Sequence, residues 1–447
     1  MVTKLLIANR GEIAIRIART CKRMGIPTVG VYSDADADAM FLEFVDEKRR
    51  IGPPPPRESY LQIEHLLDAA LDSKADAIHP GYGFLSENAD FAMRAQDEGL
   101  TWVGPPPEAV RKMGSKIGSR QIAERIGVPT VPGTSSAVKS IDAAKEIAAR
   151  IGYPVMVKAS AGGGGIGMAK AEDETQLARV YEDAGKKAAT FFGDPTVFVE
   201  KAMVRPRHIE VQVFGDKLGN IIHLGERECS IQRRNQKVIE ETPSPAVTPA
   251  MREKMTGAAI ALAREVGYYS SGTVEFITDQ EGNFYFLEMN TRLQVEHTVT
   301  EMVTGLDLVE WQIRVARGEA LPTLTPSFKG HAFQFRLCAE DPDKRFIPSP
   351  GTLERCDLPT GEGVRADMAV RAGSKITPYY DSMFGKLIVY NDTRTSAIAR
   401  AKEALAHTTI TGIKTNLELH QRVVSTQAFA EGRLSTAFLT EELGLKW

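Results

Sequence analysis

Four cysteines in 447 residues, Cys21, Cys229, Cys338 and Cys356, lie far apart and form no Cys-x-x-Cys pair. That scarcity argues against a disulfide framework or a thiolate zinc site and fits a reducing compartment, so a cytoplasmic protein is expected. No apolar run approaches the roughly 18 residues that span a bilayer. The opening stretch is charged again at Arg10 and Glu12, too soon for a secretory leader. Neither sign of charge dominates: 55 Lys+Arg against 58 Asp+Glu leave a formal net charge of −3. This gives no reason to expect nucleic acid or a membrane surface as partner. With 43% hydrophobic and 25% charged residues the chain is an ordinary globular one, long enough for roughly two to four domains.

The first hundred residues alternate strand and helix patterns. A short apolar strand at 5–8 leads into a helical stripe of Ile13, Ile17 and Cys21, and Gly25 closes that helix. Strand-like runs recur at 28–32, 75–79 and 101–103, so repeated βα units predict a parallel sheet with helices on both faces. No Gly-x-Gly-x-x-Gly follows the first strand, which weakens a dinucleotide reading. A domain boundary is expected at 113–116. Beyond it come a compact α/β segment, a glycine-rich loop and several long alternating strands. After His331 strands dominate, with one late helix over 396–405.

Four stretches carry chemistry. The first is Pro154-Val-Met-Val-Lys158-Ala-Ser-Ala-Gly-Gly-Gly-Gly-Ile-Gly167. Strand alternation puts Val155 and Val157 on one face and Met156 and Lys158 on the other. A strand lysine beside bare backbone N–H groups suits phosphates, although no Gly-Lys-Ser/Thr follows and a plain linker is the other reading. The second is the strand pair 273–277 and 284–290. Period-2 alternation puts Glu288 and Asn290 on one face, Glu275 opposite them, and Phe284 and Phe286 on the same face. Two carboxylates and a carboxamide make a hard-oxygen site for Mg²⁺ or Mn²⁺, with a solvated polar face as the alternative.

The third stretch, Asn290-Thr-Arg292-Leu-Gln294-Val-Glu296-His297, alternates groups that can converge on a small anion, with Arg292 holding it and Glu296 taking its proton. His297 has the opposite parity and reads as structural. The fourth combines the alternating strand His208, Glu210, Gln212 with a basic run, Arg227, Arg233, Arg234 and Lys237, which taken alone could be a solvated face. Within it, Cys229 has arginine neighbours that could lower a thiol pKa, but a structural or substrate-proximal thiol is a plainer reading than a nucleophile.

Together these stretches resemble biotin carboxylase, the ATP-grasp component of biotin-dependent carboxylases, over essentially the full chain. The resemblance rests on Ile7-Ala-Asn-Arg-Gly-Glu-Ile-Ala14, His79-Pro-Gly-Tyr-Gly-Phe-Leu-Ser-Glu-Asn88, 158–168, 226–241, 288–300 and Pro378-Tyr-Tyr-Asp-Ser-Met383. It implies an α/β and α+β multidomain fold. The parts would be an N-terminal parallel βα domain (1–114), an ATP-grasp domain with a mobile lid (115–330, lid about 131–203), and a β-rich C-terminal biotin carboxylase domain (331–447).

The resemblance also implies roles. Lys116, Lys158 and His208 would contact ATP phosphates, and Glu200 and Lys201 would line the adenine pocket. Gly163, Gly164, Gly165, Met168, Gln232, Asn235 and Ile277 would complete the ATP site. Glu275, Glu288 and Asn290 match metal positions, and Lys237, Arg292, Gln294, Val295 and Glu296 match a bicarbonate site. Arg336 would steady the biotin enolate, with Tyr82 near the biotin end.

The implied substrates are ATP, bicarbonate and biotin on a separate carrier protein. The expected partners are a biotin carboxyl carrier protein and carboxyltransferase subunits, and the expected assembly is a homodimer. No Met-Lys dipeptide, the family's biotin-attachment motif, occurs. Three residues depart from the usual pattern: Ile166 where a basic residue is common, Asn235 where some members have histidine, and Thr298 in place of a proline, which would loosen that turn. The Glu-Glu-Thr-Pro sequence at 240–243 and the Gly-Ile-Gly-Met loop also resemble the urea-carboxylase branch, which leaves the final acceptor open between acyl-CoA and urea-type substrates. The competing functions are another ATP-grasp ligase and a regulatory nucleotide-binding protein without catalysis.

Overall fold

The computed structural model describes residues 2–134, 136–159, 168–322 and 327–446. Five parallel strands form the first sheet, in the order Glu47–Gly52, Thr28–Ser33, Leu5–Ile7, Ala77–His79, Thr101–Trp102. Alternation along the central strand explains the layering. Leu5 and Ile7 face the helix Gly11–Arg23 through Ile13, Ile17 and Cys21, while Leu6 faces Leu66, Leu67, Phe91 and Ala92 of helices Ile63–Asp72 and Ala89–Asp97. Gly25, at φ +69°, ends the first helix where a side chain would be strained. Trp311 and Ile313 of helix Leu308–Ala316 join the core of that first helix, so the sheet is seated on the middle of the chain.

The second sheet has eight antiparallel strands: Phe284–Asn290, Ser270–Thr278, Arg207–Gly215, Ile221–Arg233, Gln236–Thr242, His331–Cys338, Met383–Asn391 and Val364–Met368. Its apolar face is covered at one end by helix Pro249–Glu265, through Met255, Ala259 and Leu262 on Val211, Val274 and Phe276. At the other end, helices Arg394–Ala406 and Leu417–Ser425 lie on Phe333, Phe335 and Leu387. The opposite face carries His208, Glu210, Glu275, Gln334, Arg336 and Lys386. Burying so many charges is tolerable only if they pair with one another, and the sheet brings acids and bases of several strands together for that purpose. A third sheet, Met168–Ala171, Val155–Ala159, Val197–Lys201, packs with helices Ile141–Ile151 and Glu174–Phe192 into a small α/β unit with its own core.

Two expectations from alternation fail. Beyond His331 there are further helices besides the predicted one, Leu417–Ser425, Gln427–Ala430 and Phe438–Leu443. They are short, and their apolar residues (Val423, Phe429, Phe438) fill the same core as the strands, so no long periodic run marks them. Phe286 also does not share a face with Glu288. A register irregularity lies between the pairs Glu275–Glu288 and Phe276–Phe286, and it turns both Phe284 and Phe286 toward the apolar core. Among the described residues no helix is long and apolar enough to cross a membrane.

Two fully buried histidines bear on acid stability. Burial depresses His79 to about 3 and His420 to about 4, so both are neutral in the fold at neutral pH. Because their folded pKa lies below the unfolded value near 6.5, the unfolded chain binds more protons in acid. Their contribution is complete above about pH 6.5 and is lost as pH falls toward 4. A His420→Gln variant keeps an N–H for the carbonyl of Arg336, which His420 Nε2 contacts at 2.7 Å. The stability difference between wild type and this variant is expected to shift by about 2 kcal/mol between pH 7 and pH 5, the wild type losing more. Urea unfolding at the two pH values checks this, and parallel losses refute it.

Candidate active site

The charged face of the large sheet, the small α/β unit and the loops after strands Leu5–Ile7 and Ala77–His79 enclose a cleft of about 790 Å³. Those loops leave the carboxyl ends of parallel strands, where open α/β sheets place their ligands.

The geometry starts with a register. Glu210, Glu275 and Glu288 sit side by side on three neighbouring strands. Lys237 reaches them from a fourth strand after a tight hairpin, in which Arg234 and Asn235 both have positive φ (+48° and +66°) between the paired residues Arg233 and Gln236. Asparagine accepts that conformation well, so Asn235 has a local reason to be there. The Lys237 ammonium donates to Glu275 Oε1 at 2.8 Å and to Glu296 Oε1 at 2.6 Å, and also to Glu210. Burial opposes its charge, but the three carboxylates hold its pKa well above the ordinary value.

Glu296 accepts on its other oxygen from Arg336 Nη2 at 3.0 Å, and Arg336 Nε is held by Glu240 at 2.5 Å. Burial alone would raise the Glu296 pKa. Lys237, Arg336 and Arg227 outweigh it, so the carboxylate lies below its usual range and is ionised at neutral pH. Arg292 donates to Glu87 (2.8 Å), Gln294 (2.8 Å) and Asn290 (2.8 Å), and Gln294 donates to Glu275 at 3.1 Å. The segment after Asn290 is irregular chain rather than a continued strand, yet its alternation still brings Arg292, Gln294 and Glu296 together. Thr298, which stands where proline is usual, follows Glu296 by two residues. It is fully buried in helix His297–Thr304. His297, also fully buried, places Nδ1 2.7 Å from the Gln294 carbonyl, and burial holds it well below its ordinary pKa.

On the nucleotide-expected side, His208 Nε2 lies 2.9 Å from Glu275 and its Nδ1 is 3.0 Å from Gln232. Lys116 opens a helix after Ser115 caps Gly118, and burial lowers its pKa. Lys158 pairs with Glu200 across the third sheet. The Lys201 ammonium is engaged by the carbonyls of Gly152 (3.1 Å) and Tyr153 (2.8 Å). Met168, Ile277, Val295 and Tyr82 line the same cleft as all of these. Glu296 does not line it directly, being fully buried beneath Lys237 and Arg336. Gly163, Gly164, Gly165 and Ile166 lie outside the described residues.

The basic run divides by destination. Arg227 is completely buried, bonded to Glu210 (2.5 Å), Gln212 (2.8 Å), Thr273 (3.0 Å) and Thr300 (3.0 Å), and Arg233 pairs with Glu340. Cys229 is buried among Glu210 and Glu296, and burial pushes its thiol well up, which argues against a reactive thiolate. Sequence reasoning passed over Glu87 and Glu240, which orient Arg292 and Arg336. Glu87 lies in the His79–Asn88 motif and Glu240 in the Glu-Glu-Thr-Pro sequence, but nothing local marks either as facing an arginine of a distant segment.

The carboxylates suit a divalent cation. Glu288 opposes Glu275 in register, and burial together with that like charge raises the Glu288 pKa. A cation bound by Glu275, Glu288 and Asn290 would relieve that repulsion. His208, Glu210 and Glu275 also come within ligating reach of one another, but Lys237 already neutralises two of these three.

Three family models match: biotin carboxylase N-terminal domain over residues 1–110, the ATP-binding domain of carbamoyl-phosphate synthase L chain over 115–324, and biotin carboxylase C-terminal domain over 334–441. The chain is 53% identical to biotin carboxylase 2 of Bacillus subtilis, across 99% of this chain and 100% of the relative. It is 49% identical to a pyruvate carboxylase component of Methanothermobacter thermautotrophicus, across 99% of this chain and 90% of the relative. Among solved structures, the biotin carboxylase domain dimer of Hydrogenobacter thermophilus 2-oxoglutarate carboxylase, crystallised with MgADP, ADP and bicarbonate, superposes with a TM-score of 0.96. It is 47% identical and covers 100% of this chain and 98% of that one.

Proposed function

The chain belongs to the biotin carboxylase family, and from that membership we propose that it uses ATP and bicarbonate to carboxylate biotin on a carrier protein. The observation that carries the reading is the convergence of Arg292, Gln294, Lys237 and Arg336 on one cleft, with Glu296 held directly beneath Lys237 and Arg336, beside the paired carboxylates Glu275 and Glu288. In this reading Arg292, Gln294 and the Val295 backbone hold bicarbonate while Glu296 removes its proton. The bicarbonate oxygen attacks the γ-phosphorus of ATP, giving carboxyphosphate and ADP. Lys116, Lys158 and His208 bind the phosphates, with Glu200, Lys201, Met168, Ile277, Gln232 and Asn235 around the rest of the nucleotide. Mg²⁺ or Mn²⁺ held by Glu275, Glu288 and Asn290 supplies charge neutralisation when bound.

Carboxyphosphate breaks down to CO₂ and phosphate. Phosphate takes the proton from the biotin ureido nitrogen, and Arg336 stabilises the enolate that captures CO₂, with Tyr82 near the biotin end. The small α/β unit, roughly residues 131–203, acts as a lid that keeps water from the intermediate. We place the protein in the cytoplasm as a homodimer working with a carboxyl carrier protein and carboxyltransferase subunits. Acetyl-CoA, or another acyl-CoA, is proposed as the eventual acceptor. Relatives of nearly equal identity carry pyruvate and 2-oxoglutarate in their names, so the co-purifying transferase decides that point.

The direct test supplies the purified protein with ATP, Mg²⁺, bicarbonate and free biotin, and measures ADP and carboxybiotin. Biotin-stimulated ADP release with carboxybiotin formed is expected, and chelation of the metal should abolish both. Turnover indifferent to biotin, with no carboxybiotin, would favour an ATP-grasp ligase for another carboxylate.

A further inference from the structure

Arg336 does not hold its place alone. Its Nε donates to Glu240 Oε1 at 2.5 Å, and Glu240 lies opposite Gln334 in the register of strands Gln236–Thr242 and His331–Cys338. Gln334 Nε2 donates to the second Glu240 oxygen at 2.9 Å, and Gln334 Oε1 accepts from the hydroxyl of Thr298. Thr298, Gln334 and Glu240 are all fully buried. The chain of bonds has one consistent polarity. Burial raises the Glu240 pKa, but its two oxygens accept from Arg336 Nε and from the Gln334 amide nitrogen, which leaves the amide oxygen toward Thr298 with the threonine hydroxyl as donor. Without that hydroxyl the buried amide oxygen loses its Thr298 donor, and the Gln334 amide loses the bond that fixes it against Glu240. Glu240 would then lose a donor and with it the fixed position from which it holds the guanidinium.

We propose that Thr298 and Gln334 are positioning residues for biotin carboxylation: the relay Thr298–Gln334–Glu240 fixes the Arg336 guanidinium between Glu240 and Glu296. The inference rests on the function proposed above and assigns a purpose to the residue that stands where proline is usual. The relay acts on the second half of the reaction. It orients the group that meets biotin, so its loss lets carboxyphosphate form and decompose without its CO₂ being captured.

The experiment measures carboxybiotin formed per ADP released, with free biotin, in the full-length wild type, Thr298→Val, Thr298→Ser and Gln334→Leu. Valine keeps the shape of threonine and removes the donor. The ratio is expected to fall several-fold in Thr298→Val and in Gln334→Leu, to fall no further in the double variant, and to return in Thr298→Ser. A merely structural role would lower carboxybiotin and ADP together and leave the ratio unmoved, whatever fraction of the variant is folded. An unchanged ratio in Thr298→Val, or a loss that serine does not restore, overturns the relay while the wild-type activity stands. A wild type that makes no carboxybiotin overturns the functional reading, and the relay with it.

Discussion

Replacing Glu296 by glutamine is expected to lower bicarbonate-dependent turnover by about 10²- to 10⁴-fold, the range for loss of a positioned general base. Glutamine keeps the size of the side chain and an oxygen for Lys237 or Arg336, but it cannot take a proton. Lys237 keeps Glu210 and Glu275 as partners and Arg336 keeps Glu240, so the site retains most of its paired charges. The loss should therefore appear in kcat far more than in thermal stability. The pH dependence separates this residue from its neighbours. Burial pushes the Glu296 pKa up, but Lys237 and Arg336 bring the net value below the usual carboxylate range, so the residue stays ionised throughout the neutral and mildly acidic range. Any loss of wild-type activity between pH 7 and pH 5 then reflects another group, and the glutamine variant should keep the same acid limb at its lower level. Steady-state ADP release against pH measures both effects. Activity within tenfold of wild type would remove Glu296 from the proton transfer.

How much of this site could be read from sequence depends on how local its geometry is. The face shared by Met156 and Lys158, the opposition of Glu275 to Glu288, and the strand His208, Glu210, Gln212 all follow from a period of two, and the sheets keep them. Alternation failed where a single residue was added to a strand: the irregularity beside Glu288 reversed the side on which Phe286 lies, and nothing in the composition there marks it. Charge runs were opaque for a different reason. Arg227 and Lys237 are ten positions apart and equally basic, yet one is sealed in a cage of Glu210, Gln212 and two threonines while the other lines the cleft. Only the pairing of strands far apart in sequence decides which, as it does for Glu240 and Gln334. Resemblance to a family named residues but could not supply the contacts that hold them.

The same distinction governs Lys386, which no local pattern marks and whose replacement by methionine is expected to cost about 3–5 kcal/mol of stability. Its side chain is wholly buried. The ammonium lies 3.0 Å from Glu12 Oε1, donates to the Val295 carbonyl at 3.0 Å, and sits 5.8 Å from the centre of the Tyr82 ring. One buried cation thus ties the N-terminal helix, the segment after Asn290 and a C-terminal strand. Burial already raises the Glu12 pKa, and Lys386 is the largest influence opposing it. Methionine fills the volume but leaves that carboxyl without its counter-ion, in a place where solvation cannot replace it. Changing Glu12 to glutamine as well removes the orphaned charge, so the double variant is expected to recover much of the loss, a coupling that a packing defect would not produce. Urea unfolding of the two single variants and the double one measures it. A Lys386→Met protein within about 1 kcal/mol of wild type would show that the pair contributes little beyond its own desolvation. Activity then tells whether the clamp also serves the site: with the Val295 carbonyl released, KM for bicarbonate should rise even in the double variant, where stability has returned.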